Sequence, residues 1–253
     1  MPISVTIITR NEETNISAAL ESVKWASEVI VVDSESSDNT VTIAHQFTDK
    51  VIIKPWLGFA LQKQFAAEQA TNDWILSIDA DERVTPTLAE EIKKVIKDSN
   101  NQYDGFYISR QNYYLNKAIY HSGWAPDYQL RLYKKGKGQW KGSFVHESVT
   151  LNGKVGKLQA KLDHYSIQSL AAHHERLNRY TTLAANQLCS CGKKVKTIDL
   201  LVRPIMAMFR SYIWRLGVLD GFAGIIIAYF AAYYVFLKYA KAWEIRQKEA
   251  NLN

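Results

Sequence analysis

The chain has 253 residues and carries 31 Lys and Arg against 25 Asp and Glu, a formal net charge of +6. This length accommodates one catalytic domain with an appendage, and not two full domains. The positive charge fits an anionic membrane surface, and it fits nucleic acid poorly because no recognition motif accompanies it. Cys189 and Cys191 are too few and too close for a zinc site or an unstrained disulfide, which predicts reduced thiols in the cytoplasm.

The first third of the chain alternates predicted strands with predicted helices. Runs of β-branched and apolar residues predict the strands, and apolar residues at helical spacing predict the helices between them. The predicted strands are 4–9, 28–33, 51–53 and 74–79, and the predicted helices are 16–24, 39–47 and 61–70. Such alternation implies right-handed crossovers and an α/β fold with a mostly parallel sheet and helices on both faces.

Polar residues follow three of these strands, at what is predicted to be one edge of the sheet. They are the segments 9–12, 33–34 and 79–82. Open α/β sheets bind their ligands at the carboxyl ends of the strands, and carboxylates there require a cation to neutralise them. Asp79 and Asp81, two residues apart, suit Mg²⁺ or Mn²⁺ held together with a substrate's phosphates. The alternative is a polar turn that only closes the strand.

These segments match the motifs of a known family. Strands ending in Thr-Arg-Asn-Glu (9–12), Val-Val-Asp-Ser (31–34) and Asp-Ala-Asp-Glu (79–82) resemble, in order and spacing, the family 2 glycosyltransferases with the Rossmann-like GT-A fold. Further segments resemble the bacterial lipopolysaccharide-core β-1,4-glucosyltransferase branch. These are Trp124-Ala125-Pro126-Asp127, Gln129 to Tyr133, Trp140-Lys141-Gly142, Val145-His146-Glu147 and His164-Tyr165-Ser166.

The resemblance implies an inverting, metal-dependent hexosyltransferase that uses Mg²⁺ or Mn²⁺. Its implied donor is UDP-glucose, and its implied acceptor is a heptose of the lipopolysaccharide inner core. Another UDP-sugar, another lipid or polysaccharide acceptor, and a non-catalytic membrane adaptor on the same fold are the alternatives. A dinucleotide oxidoreductase or a sugar nucleotidyltransferase is disfavoured because its Gly-rich loop is missing after the first strand. A receiver-like domain leaves the apolar C-terminal region unexplained.

The resemblance also assigns roles to individual residues. Asp81 is the expected direct metal ligand, Asp79 contacts the ribose or reaches the metal through water, and His164 completes the metal shell. The predicted nucleotide-sugar site consists of Thr9, Arg10, Asn11, Glu12, Asp33, Ser34, Asp38, Lys63, Asp79, Ala80 and Arg131. For Asp38 the alternative is a helix cap, for Lys63 a solvated helix position, and for His164 a surface or core histidine.

Two questions about the predicted site stay open at the level of sequence. Arg131 lies between apolar neighbours and would either pair with Asp127 or reach a donor phosphate. Inversion by single displacement also requires a base for the acceptor hydroxyl, for which a carboxylate within hydrogen-bond reach is the usual choice. Glu147 is the favoured base, and Asp127 is the second candidate.

The last third of the chain is predicted to be helical and membrane-associated. Helical patterns cover 168–188, 197–216 and 222–247, with basic and aromatic residues interspersed as in interfacial helices. The segment 218–237 is long enough to span a bilayer, but the glycines and Asp220 near its start favour a monotopic helix or an oligomer contact. The His173-His174 pair is interpreted as solvated surface.

The expected domain organisation follows from these patterns. A catalytic domain is predicted over 1–166, with a nucleotide-sugar half over 1–100 and an acceptor half over 101–166. Residues 167–253 are predicted to serve membrane association or homo-oligomerisation. The expected location is cytoplasmic and peripheral, on the inner face of the inner membrane.

Overall fold

The computed structural model describes residues 2–142 and 147–250, and it forms two compact units. The first unit comprises Met1–Gln111 and Asp127–His164, and the second comprises Asn112–Pro126 and Tyr165–Asn253. The predicted acceptor half, 101–166, is therefore divided between the two units.

The first unit is built on a mixed sheet. Its strands are β1 (Ile3–Thr9), β2 (Glu28–Asp33), β3 (Val51–Ile53), β4 (Trp74–Asp79), β5 (Glu82–Val84), β6 (Gly105–Tyr114), β8 (Asp127–Lys134) and β11 (Val155–Ile167), in the order β3-β2-β1-β4-β8-β6-β11-β5. β9 (Gly138–Lys141) pairs with β10 (Ser148–Leu151) in this unit, while the short β7 (Lys117–Ala118) belongs to the second unit and pairs with the last two residues of β6. The first four strands are parallel, as predicted, whereas β8 is antiparallel to both β4 and β6.

Helices cover both faces of this sheet, which explains the continuous apolar character of its strands. The helices are α1 (Ile16–Glu21), α2 (Thr40–Ala44), α3 (Phe59–Glu68) and α4 (Pro86–Lys97). In β1, Val5 and Ile7 pack with α1 and α4, while Ile8 points to the opposite face and packs with α3. Alternate residues of one strand thus enter two separate cores, as the period of two in a strand requires.

A buried glutamate fixes the amino-terminal ends of the parallel strands. The carboxylate of Glu28 accepts hydrogen bonds from Ser4, Lys50 and the backbone N–H and hydroxyl of Thr71. Burial alone would raise the pKa of Glu28, but these hydrogen bonds outweigh it and lower the pKa from 4.5 to about 2. One side chain therefore connects β1, β2 and the segments before β3 and β4.

The second unit contains three long helices, α5 (Leu170–Ser190), α6 (Thr197–Phe209) and α7 (Phe222–Ala250). Of the described helices, one, Phe222–Lys248, has the length and apolarity to cross a bilayer, with a mean hydropathy of 1.5 over its most apolar 18 residues; core helices of soluble proteins can share these properties. The predicted helix 197–216 is α-helical only to Phe209. It continues as a π-helical turn, Arg210–Trp214, and a 3₁₀ turn, Gly217–Asp220, precedes α7.

Contacts with the loop 120–122 explain this break between α6 and α7. Asp220 is buried and accepts hydrogen bonds from the Tyr120 backbone N–H at 3.1 Å and the Ser122 hydroxyl at 2.7 Å. A continuous helix would remove these contacts. A Cβ on Gly224 would lie 1.8 Å from the Gly217 carbonyl oxygen, so only glycine permits this close approach.

The interpretation of His173 as solvated surface is wrong. Its ring stacks on Phe230 with 3.9 Å between ring centroids, and its Nδ1 lies 2.9 Å from the Tyr114 hydroxyl. Burial lowers the pKa of His173 to about 4, and burial raises the pKa of Tyr114 to about 12. Both groups are therefore neutral at physiological pH, as an apolar environment requires.

The Glu28 contacts predict a pH-dependent stability. Because the folded state lowers the pKa of Glu28, its contribution is complete above pH 4.5 and is lost as the pH falls towards about 2. We expect Glu28→Gln to lower the free energy of unfolding by about 3 kcal/mol at pH 7, and by much less at pH 2.5, in chemical denaturation. Glu21→Gln, which removes an exposed ion pair with Lys24, is the control and should cost less than about 0.5 kcal/mol. An equal loss from Glu28→Gln at both pH values would contradict the assignment.

Candidate active site

The carboxyl ends of β1, β2 and β4 lie level with one another. The parallel register pairs Thr9 with Asp33 and Ile8 with Asp79. The polar segments that follow these strands therefore meet at one edge of the sheet, as the sequence predicts for a ligand-binding edge.

The loops after β1 and β2 are locked together by hydrogen bonds. The Asn11 side-chain oxygen accepts from the Ser37 backbone N–H at 2.8 Å, and the Glu12 backbone N–H donates to the Thr40 hydroxyl at 2.8 Å. Asn11 adopts a left-handed φ of 54°, a conformation that Asn tolerates better than most residues. The two loops thus form one preorganised surface beside the sheet edge.

Two carboxylates of the predicted nucleotide site accept hydrogen bonds from neighbouring residues. Asp33 is fully buried and accepts hydrogen bonds from the Ser36 backbone N–H and hydroxyl. Asp38 accepts from the backbone N–H and hydroxyl of Thr40, the first residue of α2, and from the Glu13 backbone N–H. Burial opposes ionisation of Asp38, but the hydrogen bonds from Thr40 prevail and lower its pKa. Both residues shape the loops, and their contact with a nucleotide stays a prediction.

A buried ion-pair network joins the end of β4 to β8 and α3. The Arg131 guanidinium, 4% exposed, donates to Asp79 at 2.7 Å and to Glu82 at 2.6 Å. Lys63 Nζ lies 2.8 Å from Asp79 Oδ1 and 3.2 Å from Glu147 Oε1. Burial would raise the pKa of Asp79, but the charges of Arg131 and Lys63 outweigh it and hold that pKa far below its usual range. Asp79 is therefore ionised and fixed in orientation.

The network continues from Glu82 to Asp127. Arg110 lies 3.3 Å from Glu82 and donates to Asp127 Oδ2 at 2.7 Å, while Gln129 donates to Asp127 Oδ1 at 2.8 Å. Arg131 thus pairs with Asp79 and Glu82, and Asp127 pairs with Arg110. Both oxygens of Asp127 are occupied, whereas Glu147 has a hydrogen-bond partner on Oε1 only, within the described part of the chain.

Asp81 lies next to His164. The antiparallel register pairs His164 with Glu82, which places its Nε2 3.4 Å from Asp81 Oδ2. Both side chains are partly exposed. Among the described residues, no group of three or more His, Cys, Asp or Glu forms a metal cluster, so Asp79 does not join this pair. One carboxylate and one imidazole still fit a divalent cation that takes its remaining ligands from a diphosphate and water.

The remaining predicted residues fall into two groups. Arg10 and Asn11 are exposed, while Thr9, Ser34 and Ala80 are buried. The hydroxyl of Thr9 is buried and has no hydrogen-bond partner among the residues that the structure describes. The Ser34 hydroxyl accepts a hydrogen bond from the Gln62 amide at 3.0 Å. Lys63 is buried, with its Nζ over the Trp140 ring, so it is not a solvated helix residue. Of the motif Val145-His146-Glu147, the first two residues lie outside the described residues.

The sequence interpretation missed the roles of Glu82 and Arg110. Glu82 is fully buried, accepts from both arginines and also accepts from the Asp79 backbone N–H at 2.9 Å. The only local signal was a glutamate at the start of a strand, which is also the pattern of an exposed turn. Arg110 gives no signal of its own, because its partners Glu82 and Asp127 lie 28 residues earlier and 17 residues later in the chain.

Comparison with known proteins agrees with this geometry. Residues 4–153 match the family described as "Glycosyl transferase family 2". An uncharacterized glycosyltransferase of Rickettsia felis is 36% identical over 267 residues, which cover 99% of this chain and 92% of the relative. The lipopolysaccharide core biosynthesis glycosyltransferase LpsC of Rhizobium meliloti is 31% identical over 264 residues, which cover 100% of this chain and 96% of the relative.

A solved structure shares the fold. The mannosyltransferase PcManGT of Pyrobaculum calidifontis, in complex with GDP-Man and Mn²⁺, gives a TM-score of 0.51 at 12% identity. The alignment covers 96% of this chain and 87% of that chain. At this identity the likeness concerns the fold alone.

The buried network predicts that removal of Arg131 lowers the stability of the fold more than removal of a partly exposed lysine does. We expect Arg131→Met to lower the free energy of unfolding by about 3–5 kcal/mol at pH 7, because Asp79 and Glu82 lose a buried counter-charge. Without Arg131 the pKa of Asp79 should rise, so this loss should shrink as the pH falls towards 4. Lys134→Met, on the same strand as Arg131, breaks a partly exposed ion pair with Asp104; it is the control and should cost less than about 1 kcal/mol. Equal losses from both variants in chemical denaturation would refute a structural role for the network.

Proposed function

This chain belongs to glycosyl transferase family 2, and on that basis we propose that it is an inverting, metal-dependent hexosyltransferase that uses UDP-glucose. The proposed acceptor is a heptose of the lipopolysaccharide inner core. Full-length identity of 31% with LpsC, a relative named for lipopolysaccharide core biosynthesis, supports the acceptor class. The main structural support for the reaction class is a pair of carboxylates, Asp79 at the end of β4 and Glu147 just before β10. Lys63 contacts both, and Arg131 contacts Asp79.

The donor nucleotide is proposed to bind across the ends of β1 and β2. The locked loops 10–13 and 34–39 provide a rigid frame for the base and ribose. The buried hydroxyl of Thr9 gains a partner when a polar group of the nucleotide approaches, which removes the cost of an unsatisfied buried group. Asp79 is ionised and oriented by two cations, so it presents a fixed acceptor towards the ribose side.

Asp81 and His164 are proposed to hold Mg²⁺ or Mn²⁺. The support is the 3.4 Å approach of a carboxylate oxygen and an imidazole nitrogen beside the ligand-binding edge. When bound, such a cation stabilises the charge that develops on the leaving diphosphate. Asp79 is proposed to reach the cation only through water, because both of its oxygens already accept from cationic side chains.

Glu147 is proposed to accept the proton of the acceptor hydroxyl. The acceptor oxygen forms a bond to the anomeric carbon, the bond from that carbon to the diphosphate oxygen breaks, and UDP leaves with the electron pair. Lys63 binds Glu147 through one oxygen, so it orients the carboxylate and leaves the second oxygen for the proton. Asp127 is the weaker candidate because Arg110 and Gln129 engage both of its oxygens.

The second unit is proposed to associate with the cytoplasmic face of the inner membrane. The apolar side chains exposed on α6, α7 and the turns between them include Leu201, Ile205, Met206, Phe209, Trp214, Leu219, Phe222 and Tyr229. An exposed apolar surface of this kind, with basic residues nearby, favours an interfacial position on anionic lipid. Homo-oligomerisation through the same helices is the alternative for this surface.

Release of UDP tests the proposed reaction. Purified protein is incubated with a panel of UDP-sugars, Mg²⁺ or Mn²⁺, and truncated lipopolysaccharide acceptors. We expect release from UDP-glucose that requires both metal and acceptor, and a loss of about 10³-fold in Asp81→Asn, since the metal contributes several kcal/mol. Asp73→Asn, at the opposite end of β4, is the control and should keep full activity. Release from a different UDP-sugar would correct the donor, and no release with any pair would refute the proposal.

Removal of the proposed base separates binding from transfer. Glu147→Gln should bind UDP in the presence of Mn²⁺ as the parent does, but should lose about 10²–10⁴-fold in transfer rate, because the amide cannot accept the proton. Asp127→Asn should lose less, because its carboxylate is engaged by Arg110. Calorimetry measures UDP binding, and UDP release measures transfer. A larger loss of transfer in Asp127→Asn than in Glu147→Gln would assign the base to Asp127.

A further inference from the structure

The second unit contains a cavity of about 520 Å³ that the reaction does not use. This volume is within the range of cavities that bind small ligands. Its walls come from α5, α7, the end of α6 with the π-helical turn, and the loop 122–124. Trp124, Leu177, Ile227 and Phe230 give it a largely apolar lining.

Three cations interrupt this apolar lining. Arg176, Arg210 and Arg215 line the cavity, and none of the described lining residues is acidic. Within the part of the chain that the structure describes, neither Arg210 nor Arg215 forms an ion pair with a carboxylate. The positive charge of the cavity is therefore not balanced from within its walls, which favours an anionic occupant.

Backbone contacts hold one of these arginines in place. The Ser122 backbone N–H donates to the Arg215 carbonyl oxygen at 2.9 Å. The Arg215 side chain lies across Gly123, where an added Cβ would come within 2.1 Å of its Nη1 atom. Gly123 has a φ of +83°, so glycine is favoured there on both conformational and steric grounds. The loop is thus shaped to accept the guanidinium.

Large apolar side chains near this cavity are exposed. Arg210 begins the five-residue π-helical turn that ends at Trp214, whose side chain is 79% exposed. Phe222, at the start of α7, is 76% exposed. Tryptophan and other large apolar side chains at such a tip are typical of segments that enter the headgroup region of a membrane. A turn that exposes Trp214 and also contributes Arg210 to the cavity lining fits an occupant that comes from a membrane surface.

We propose that this cavity binds the phosphate-bearing headgroup of a membrane lipid. Arg210 and Arg215 contact the phosphate, for which guanidinium groups offer paired, planar donors. The apolar wall around Phe230 and Ile227 receives the adjoining glycerol and the first part of an acyl chain. This site goes beyond the proposed transferase function, because it anchors the protein to a lipid and does not depend on the donor sugar or on the reaction.

Vesicle flotation of the full-length protein tests the site. Vesicles of phosphatidylcholine alone are compared with vesicles that also contain phosphatidic acid. We expect the double variant Arg210→Met/Arg215→Met to lose about tenfold or more of the phosphatidic acid-dependent affinity, because two charge-assisted contacts are removed. The charge-matched control, Lys193→Met/Lys194→Met, alters exposed basic residues that do not line the cavity and should lose less than about threefold. Equal losses in the two double variants would reduce the effect to general surface charge and overturn the proposal.

A second variant keeps the charge and blocks the space. Ala231 lines the cavity, and Ala231→Phe should fill it and weaken phosphatidic acid-dependent flotation to the level of the arginine variant. Unchanged flotation of Ala231→Phe would overturn the proposal. This test holds even if the arginine variant fails to fold. Thermal melting confirms that each variant is folded.

Soluble probes separate a lipid site from a simple anion site. Calorimetric titration with dihexanoyl phosphatidic acid below its micelle concentration should show binding at least about tenfold tighter than titration with inorganic phosphate, since only the lipid uses the apolar wall. Equal affinity for both probes would overturn the lipid assignment and leave a phosphate site. These titrations contain no donor sugar, so their result does not depend on UDP release. The lipid site and the transferase function can therefore each be refuted without the other.

Discussion

The first unit depends on the neutralisation of buried carboxylates at the end of β4. Asp79 and Glu82 are close together in a sheet that is covered on both faces, and an unpaired carboxylate there would be costly. Arg131 bonds to both and has almost no exposed surface. Lys63 extends the network to Glu147, and Arg110 extends it to Asp127. The orientation of Asp79, Asp127 and Glu147 therefore depends on these three cations.

This arrangement gives neighbouring acids different chemistry. Asp79 is clamped by two cations and stays ionised, whereas Asp81, two residues later, lies beyond the end of the strand and beside His164. The turn between them provides this separation, since Ala80 is buried and Glu82 returns into the network. The motif 79–82 thus contains three acids with different roles. Asp79 is a fixed hydrogen-bond acceptor, Asp81 is suited to binding a cation, and Glu82 anchors the ion-pair network. In the proposed reaction the cation held beside Asp81, and not the carboxylates themselves, would stabilise the charge on the leaving diphosphate.

The sequence predicted the first four strands closely because their signal is local. Alternate residues of β1 enter two cores, which makes the whole strand apolar, and the polar ends at Asp33 and Asp79 then stand out. The ion pairs of Arg131 and Arg110 had no local signal, since their carboxylate partners lie 17 to 52 residues away in the chain. The end of α6 at Phe209 was missed for the same reason. Contacts of Asp220 and Ser211 with the distant loop around Ser122 decide that break, and hydropathy does not report them.

The two units use buried or lining cations in opposite ways. In the first, Lys63, Arg110 and Arg131 each have carboxylate partners, so the charges are balanced within the protein and serve to orient it. In the second, no described lining residue of the cavity is acidic, although three arginines face it. Grouping like charges beside an apolar wall opposes folding unless solvent or an anion compensates them. In the proposed lipid site, a headgroup phosphate would provide that compensation. The net charge of +6 and the exposed apolar turn both favour contact with an anionic membrane surface, which is the source proposed for that phosphate.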